Sequence, residues 1–541
     1  MIKYGIMIGS DFALSDWQLK CIEEIRENSN TQLSLLIVND NKNQRVVKSK
    51  NIFFKIYRKF FFRAKSIKKK NITEVVDIEN MKRIYCKVNK KGFSEYFHED
   101  DVAKVKAENL DFILRFSFGI IRGEILESSR LGVWSYHHGD ELKYRGTPPG
   151  FWEIYNEDPV SGTILQKLTH RLDGGVILRK SHYKTVAHSY SKNLDNLYYN
   201  SAELVALVCK EISVLNNDFF EKSSKTNAKI RYEPNNLEFL RFLRVLISKK
   251  MSNIFQILLF EKWNVGIVNS TFEEVLERGI VDDKVSWVKG LKKEEFLADP
   301  FDSYSDDNSF FAEYYNYYED KGKLVSVRPD NKTCSIDKMK PILENDYHLS
   351  YPYTFKDDNI NYLLPENSGS FKQHLISFSN PDFINKQEII KDKALVDSSI
   401  IKYNNKYWLF CAQKNDLPDT KLFLYHSSKL DGEWMPHIKN PVKIDINSSR
   451  PGGSFFTHND ELYRSTQNCS RNYGGSLTIC KIKKLSETDF QEEVVKELMP
   501  IKPYKKGLHT MSSFGDKLLI DGRQDLFIWK GFLNAIQRRI T

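Results

Sequence analysis

Residues 111–178 read DFILRFSFGIIRGEILESSRLGVWSYHHGDELKYRGTPPGFWEIYNEDPVSGTILQKLTHRLDGGVIL. An apolar strand ending in Gly119 leads through a helix into a second strand, LGVWSYH. A turn around Tyr144-Arg145-Gly146 precedes Pro148-Pro149, a pair suited to opening the helix GFWEIYNE. SGTILQKL reads as the next strand, and Leu172-Asp173-Gly174-Gly175 as a tight turn before VIL.

Upstream the same alternation holds. KYGIMIGS is a buried strand, DWQLKCIEEIREN has helical spacing with apolar residues at 17, 19, 22 and 25, and TQLSLLIVND is a second strand. DDVAKVKAENLDFILRFSFGII is a helix followed by a long apolar strand. Strands alternating with helices imply parallel βαβ units, hence an α/β, doubly wound, Rossmann-like sheet. Ligands of such sheets sit beyond the carboxyl ends of the strands, so the loops after residues 121 and 133 are the expected place of chemistry. No Gly-x-Gly-x-x-Gly follows the first strand, so a dinucleotide reading lacks its fingerprint. No spacing suggests a metal-ligand cluster, and no metal is expected.

Residues 193–216 read as helical and close a first domain, 1–228. LEFLRFLRVLISKKMSNIFQILLFEKW then reads as an amphipathic helical connector, within 229–263. From 264 to 541 short aromatic strands recur with turns between them, among them KLVSVRP, SSIIKYNNKYWLFCAQ and TKLFLYHSS. A unit of roughly 45–55 residues matches a four-stranded propeller blade, which predicts an all-β, five-bladed propeller.

With 541 residues the chain is long enough for two or three domains. Its 41% apolar and 28% charged residues describe a globular protein, and no run approaches the ~20 apolar residues of a membrane span. Seven cysteines without a C-x-x-C pair suit reduced thiols in the cytoplasm. The net charge of +10 is concentrated at 41–70, where twelve Lys or Arg stand among Phe and Tyr with no acid. Such a run is a solvated segment beside the active site, a contact with the inner membrane face, or a site for a polyanionic partner.

The motifs of 100–180 resemble those of the N10-formyltetrahydrofolate-dependent formyltransferase family, and the resemblance extends over 1–228. That family includes methionyl-tRNA formyltransferase, glycinamide ribonucleotide formyltransferase and the sugar N-formyltransferases. Its pattern is a strand ending in Asn-x-His, a loop to Arg-Gly and a helix, then Leu-Asp-x-Gly. His137, Arg145-Gly146 and Asp173 match, while Ser135 stands in the Asn position, a departure. The resemblance implies N10-formyltetrahydrofolate as formyl donor and Ser135, His137 and Asp173 as catalytic residues. Phe116, Gly119, His138, Arg145, Gly146 and Gly174 are implied to bind substrate or donor. The types suit the chemistry: a histidine can shuttle the proton an attacking amine sheds, a carboxylate can orient its ring, and hydroxyl or imidazole donors can meet a developing oxyanion.

The second half also carries a resemblance. ADPF (298–301), AEYY (312–315), YHLSYPYTF (347–355), LLPENS (363–368), SSRPGGSFF (448–456) and GLHTMSS (507–513) are similar to the N-terminal domain of glucosamine inositol phosphorylceramide transferases. That domain is expected to be a five-bladed propeller, distantly like furanosidase-type glycoside hydrolases. Asp299, Glu313, Glu366 and Asp397 are the implied pocket carboxylates, with Arg450 and His509 lining the same funnel. The acids either bind sugar or hold turns in a scaffold; a hydrolytic pair is the alternative. The leading reading is formyl transfer to the amine of an amino sugar, nucleotide-linked, in glycan biosynthesis, with glycan at the propeller and no nucleic-acid partner. The alternatives are another amine, such as that of methionyl-tRNA, or a glycan-binding or glycan-hydrolysing protein with a weak first domain.

Overall fold

The computed structural model describes residues 1–27, 30–41, 51–171, 174–215, 226–256, 258–305, 307–330, 332–379 and 382–528. The chain divides into two compact units, Met1–Ser252 and Asn253–Thr541.

The first unit is built on a seven-stranded sheet. In chain order its strands are Ile2–Gly9, Thr31–Asn39, Lys82–Cys86, Phe112–Arg115, Val133–His137, Val160–Lys167 and Val176–Lys184. Numbered in that order, they lie 3-2-1-4-5-6-7 across the sheet. The first five run parallel, and the last two are antiparallel additions at one edge. The parallel strands read as near-continuous apolar runs because both faces are covered, and Ile6, Met7 and Ile8 are all fully buried. The helix Asp16–Glu27 covers one face with Trp17, Cys21, Ile22 and Ile25, the stripe its spacing predicts. The order reverses between the first and fourth strands, whose carboxyl ends therefore open a crevice.

One strand is shorter than its sequence implies. The apolar run was expected to continue to Gly119, yet the strand ends at Arg115. Backbone N–H groups of both Phe116 and Ser117 donate to the Met7 carbonyl, and Phe118 takes a positive φ of 62°. The chain thus turns away from the sheet, and Phe118 packs on Phe97 instead. The helix expected over 193–216 is two helices, Tyr190–Ser201 and Leu204–Leu215.

The connector stretch also divides. Asn236–Gln256 is helical, with Phe242 stacked on Phe151 and Phe239 buried in the same cluster, but Phe260–Val268 is a strand. That strand pairs antiparallel with Lys517–Leu526, joining the two ends of the second unit. The rest of the unit is a succession of antiparallel meanders whose first strands are Glu295–Asp302, Ser350–Asp357, Leu395–Tyr403 and Pro451–His458; the first two are four-stranded sheets and the third has five strands. The strands Met511–Phe514, Lys517–Leu526, Phe260–Val268 and Val285–Trp287 pair early with late sequence, and a parallel bridge between Gly453 and Met511 joins them to the fourth meander in one eight-stranded sheet. Each first strand packs against the next one, and Glu295–Asp302 packs against both Ser350–Asp357 and Met511–Phe514.

Candidate active site

In the first unit, side chains of the strand Val133–His137 alternate between faces. Trp134 and Tyr136 point into aromatic packing: Trp134 stacks on Phe112 at 4.0 Å, and Tyr136 meets Trp17 edge-on. Ser135 and His137 therefore share the other face. The Nε2 of His137 lies 3.1 Å from the Tyr144 carbonyl oxygen and donates to it, which leaves Nδ1 as the acceptor.

Ser135 is buried, and its hydroxyl accepts from Arg115 through Nε at 3.2 Å and Nη2 at 2.8 Å. Arg115 also donates through Nη1 to the carbonyls of Gly119 at 2.7 Å and Phe118 at 3.3 Å. Burial lowers the arginine's pKa, and the Glu95 carboxylate opposes that shift. Glu95 in turn accepts the Gly119 N–H at 2.6 Å, so the loop after Arg115 is gripped at both its N–H and its C=O. Neither Arg115 nor Glu95 was singled out from sequence. An arginine closing an apolar strand, FILR, was the available signal.

The other expected residues lie as follows. Phe116 sits edge-on to Trp17 at 5.8 Å. Arg145 and Gly146 pair as a short parallel bridge with Ile230 and Arg231, and Arg145 donates to the Ala228 carbonyl. Gly146 has φ 97°, and a Cβ there would lie 2.0 Å from the Arg231 carbonyl oxygen; only glycine fits. Gly174 accepts from Thr169 Oγ1 at 3.0 Å. Asp173 lies outside the described residues.

His138 does not join His137. Its ring is packed among Trp17, Tyr136 and Tyr198, and its Nε2 pairs with Ser201 Oγ at 3.2 Å. Burial drives its pKa far below the ordinary value, with His137 adding to the shift, so the ring is neutral. Asp140, close behind in sequence, is held by Lys180 at 3.0 Å and the Leu142 N–H.

In the second unit, strand pairing exposes a repeat that sequence hid. The first strands of three sheets carry a bulge at the same place, with Asp299, Tyr351 and Asp397 at φ 50°, 44° and 50°. Glu313 pairs opposite Ala298 just as Glu366 pairs opposite Ser350, so the two glutamates are structural equivalents. The second sheet, with Tyr351 where its neighbours place Asp, thus supplies its acid from the following strand.

Five of the six expected pocket residues fall into two linked groups. Asp397 Oδ2 accepts from Arg450 Nε at 2.6 Å and Gln467 at 2.8 Å, while its N–H donates to Glu366 at 3.3 Å. Arg450 also binds Asp419 and lies 4.9 Å from the Tyr473 ring. Burial and the adjacent Asp397 push the Glu366 carboxyl well above its ordinary range. His509 stacks on Trp263 at 3.9 Å, bonds Asp521 through Nδ1 at 2.5 Å and faces Asp299 at 3.6 Å. Burial opposes its charge, yet the two aspartates raise its pKa to about 9. Asp299 is raised by burial, against the pull of His509. Glu313 instead meets His348 at 3.2 Å.

Asp521 was not foreseen, and with Asp299 and His509 it brings three donor atoms within 4.8 Å of one another, the cluster that spacing did not reveal. Its oxygens already accept the N–H groups of Asp299, His509 and Thr510 as well as the His509 ring. This is an ion-paired histidine in a hydrogen-bonded cradle rather than an open set of metal ligands.

A family model described as "Glucosamine inositolphosphorylceramide transferase 1, N-terminal" matches residues 283–515. Glucosamine inositolphosphorylceramide transferase 1 of Oryza sativa subsp. japonica is 29% identical over 276 residues, 44% of this chain, and the chain covers only 36% of that protein. A methionyl-tRNA formyltransferase of Borrelia turicatae is 32% identical over 120 residues, 22% of this chain and 38% of that protein. Among solved structures, a Helicobacter canadensis N-formyltransferase with folinic acid and dTDP-3-aminofucose matches at 15% identity and TM-score 0.28, covering 58% of this chain and 95% of that one.

Proposed function

We propose that the first unit transfers a formyl group from N10-formyltetrahydrofolate to the amine of an amino sugar, carried on a nucleotide. The observation that supports it best is the pairing of His137 with the Arg115–Ser135 contact on one face, at the carboxyl end of the fifth strand. The likeness of a 120-residue stretch to methionyl-tRNA formyltransferase supports the formyl-transfer part of the reading.

The residues suit a folate donor. Ser117 Oγ, in the loop beyond Arg115, is buried without a hydrogen-bond partner, leaving a polar position for a ligand. When bound, the folate would supply the formyl carbonyl that the amine attacks, and the bond from the formyl carbon to N10 would break to release tetrahydrofolate, its nitrogen taking up a proton. Phe116, Ser117 and Gly119 would hold it, with the loop fixed by Arg115 and Glu95. His137 takes the proton the amine sheds on Nδ1, its ring oriented by the Tyr144 carbonyl. The Ser135 hydroxyl, whose lone pairs receive Arg115, would turn its proton from the Tyr136 carbonyl, 3.4 Å away, to the reacting oxygen as negative charge builds. Asp173 is the carboxylate we assign to stabilise the charged imidazole.

We infer that the second unit is a five-bladed propeller that binds carbohydrate. Its fourfold succession of meanders, the pairing of Phe260–Val268 with Lys517–Leu526, and the match at residues 283–515 support that reading. All seven cysteines are buried, which suits a reducing, cytoplasmic setting.

The test is tetrahydrofolate release by purified protein incubated with N10-formyltetrahydrofolate and a panel of nucleotide-linked amino sugars. Release that requires one sugar and is lost in His137→Ala supports the proposal. Folate binding with release only on methionyl-tRNA moves the acceptor to tRNA, and failure to bind folate overturns the whole reading.

A further inference from the structure

Two helices of the first unit each carry two apolar stripes, although one stripe suffices to bury a helix. In Ile52–Phe60 the buried residue is Phe54, yet Ile52, Phe53, Ile56 and Phe60 face solvent. In Asn236–Gln256, Phe239 and Phe242 are buried, while Leu237, Leu240, Ile247 and Met251 recur at helical spacing on the exposed side. These eight side chains are between 45% and 79% exposed, against the near-complete burial of their counterparts one face away.

The stripes flank one seam. Phe54 and Tyr57 pack on Phe239 at 5.7 and 5.5 Å, and the Phe53 N–H donates to Asn236 Oδ1 at 3.4 Å. Phe53 therefore lies beside the turn that bears Leu237 and Leu240. The surrounding charge has one dominant sign. Lys55, Arg58 and Lys59 come from the first helix and Arg241, Arg244, Lys249 and Lys250 from the second, against Glu238 within 236–252 and two acids outside the helices, Glu233 at 3.6 Å from Arg58 and Glu157 at 2.8 Å from Lys249. Glu238 is engaged with the Asn235 N–H, and the Lys59 ammonium lies 5.3 Å from the Phe60 ring.

We propose that this face docks the protein onto an anionic lipid bilayer, the aromatic and aliphatic side chains entering the interface while the lysines and arginines meet the headgroups. Charge complementarity selects the occupant. A second copy of the chain would oppose two strongly basic faces, whereas an anionic bilayer satisfies both the apolar stripe and its cationic border. The inference is independent of the reaction assigned above.

Co-sedimentation of the full-length protein with extruded vesicles tests it, using phosphatidylcholine alone or with about 30 mol% phosphatidylglycerol. Binding is expected to the anionic vesicles and to weaken as salt rises above about 0.1 M. Ile56→Asp and Ile247→Asp should each lower partitioning about tenfold, and Lys59→Glu by at least about fivefold. All three sites are exposed, so melting temperature should stay unchanged and loss of binding will report docking rather than unfolding. Equal binding to neutral vesicles, or none to anionic ones, overturns the proposal. So does self-association in sedimentation velocity that Ile56→Asp abolishes without any vesicle binding, since the face would then join copies of the chain.

Discussion

Arg115 donates from both Nε and Nη2 to the Oγ of Ser135, so one guanidinium occupies the acceptor side of the hydroxyl, whose own proton goes to the Tyr136 carbonyl in a long bond of 3.4 Å. A lysine cannot reproduce that fork together with the Phe118 and Gly119 contacts. Arg115→Lys is expected to lower kcat for formyl transfer about 100-fold, and Ser135→Ala by a similar factor. Because the two act as a unit, the double variant should be little worse than either single one. Strictly multiplicative losses in kinetic assays would refute the coupling.

The two adjacent histidines should separate cleanly. His137→Ala is expected to cost about 10² to 10⁴ in rate with the melting temperature nearly unchanged. His138→Ala empties a space among Trp17, Tyr136 and Tyr198, and should cost about 2–3 kcal/mol of stability while turnover per folded molecule holds. Urea titration and active-site-normalised rates distinguish the two patterns, and the reverse assignment would sink the reading of the site.

Gly146→Ala probes the bridge between Arg145-Gly146 and Ile230-Arg231. The positive φ and the approach to the Arg231 carbonyl leave no room for a methyl group. A loss of at least about 2 kcal/mol is expected from chemical denaturation. Unchanged stability would mean that the bridge does not form.

His509 ties stability of the second unit to pH. Its pKa is raised to about 9 in the folded protein, from the ordinary value near 6.5, so the folded state holds the proton more tightly. The resulting contribution, of order 3 kcal/mol, is fully present below about pH 6.5 and is lost as pH rises through about 9. Thermal unfolding of the wild type should therefore fall more steeply between those limits than that of His509→Gln. Parallel curves would show that the ion pair with Asp521 contributes nothing.

Much of the first unit was legible because its signals are local. Buried parallel strands are apolar throughout, the helix Asp16–Glu27 shows its 3.6-residue stripe, and the Arg145-Gly146 pair marks a backbone that only glycine can follow. The end of the fourth strand was misjudged because Phe116 and Phe118 are as apolar as a strand requires. What stops the strand is the pair of backbone bonds to Met7, more than a hundred residues away in the chain. The helical reading of the connector failed at its end, residues 260–263, for the same reason: they open the strand Phe260–Val268, whose partner is Lys517–Leu526, and a short apolar run does not distinguish helix from strand until that partner is known.

The amino-acid order alone determined the alternation that makes the first unit α/β, the strand-rich texture of the second, the placement of His137 at a strand end and the concentration of positive charge at 41–70. Tertiary structure alone decided that Arg115 would reach Ser135, that His138 would be sealed among rings while its neighbour stays accessible, and that Asp521 would meet His509 and Asp299. The division follows from the range of the forces. Periodicity, turn chemistry and charge density act over a few residues and are written in sequence, whereas burial, ion pairing and hydrogen-bond geometry depend on which distant segments pack together.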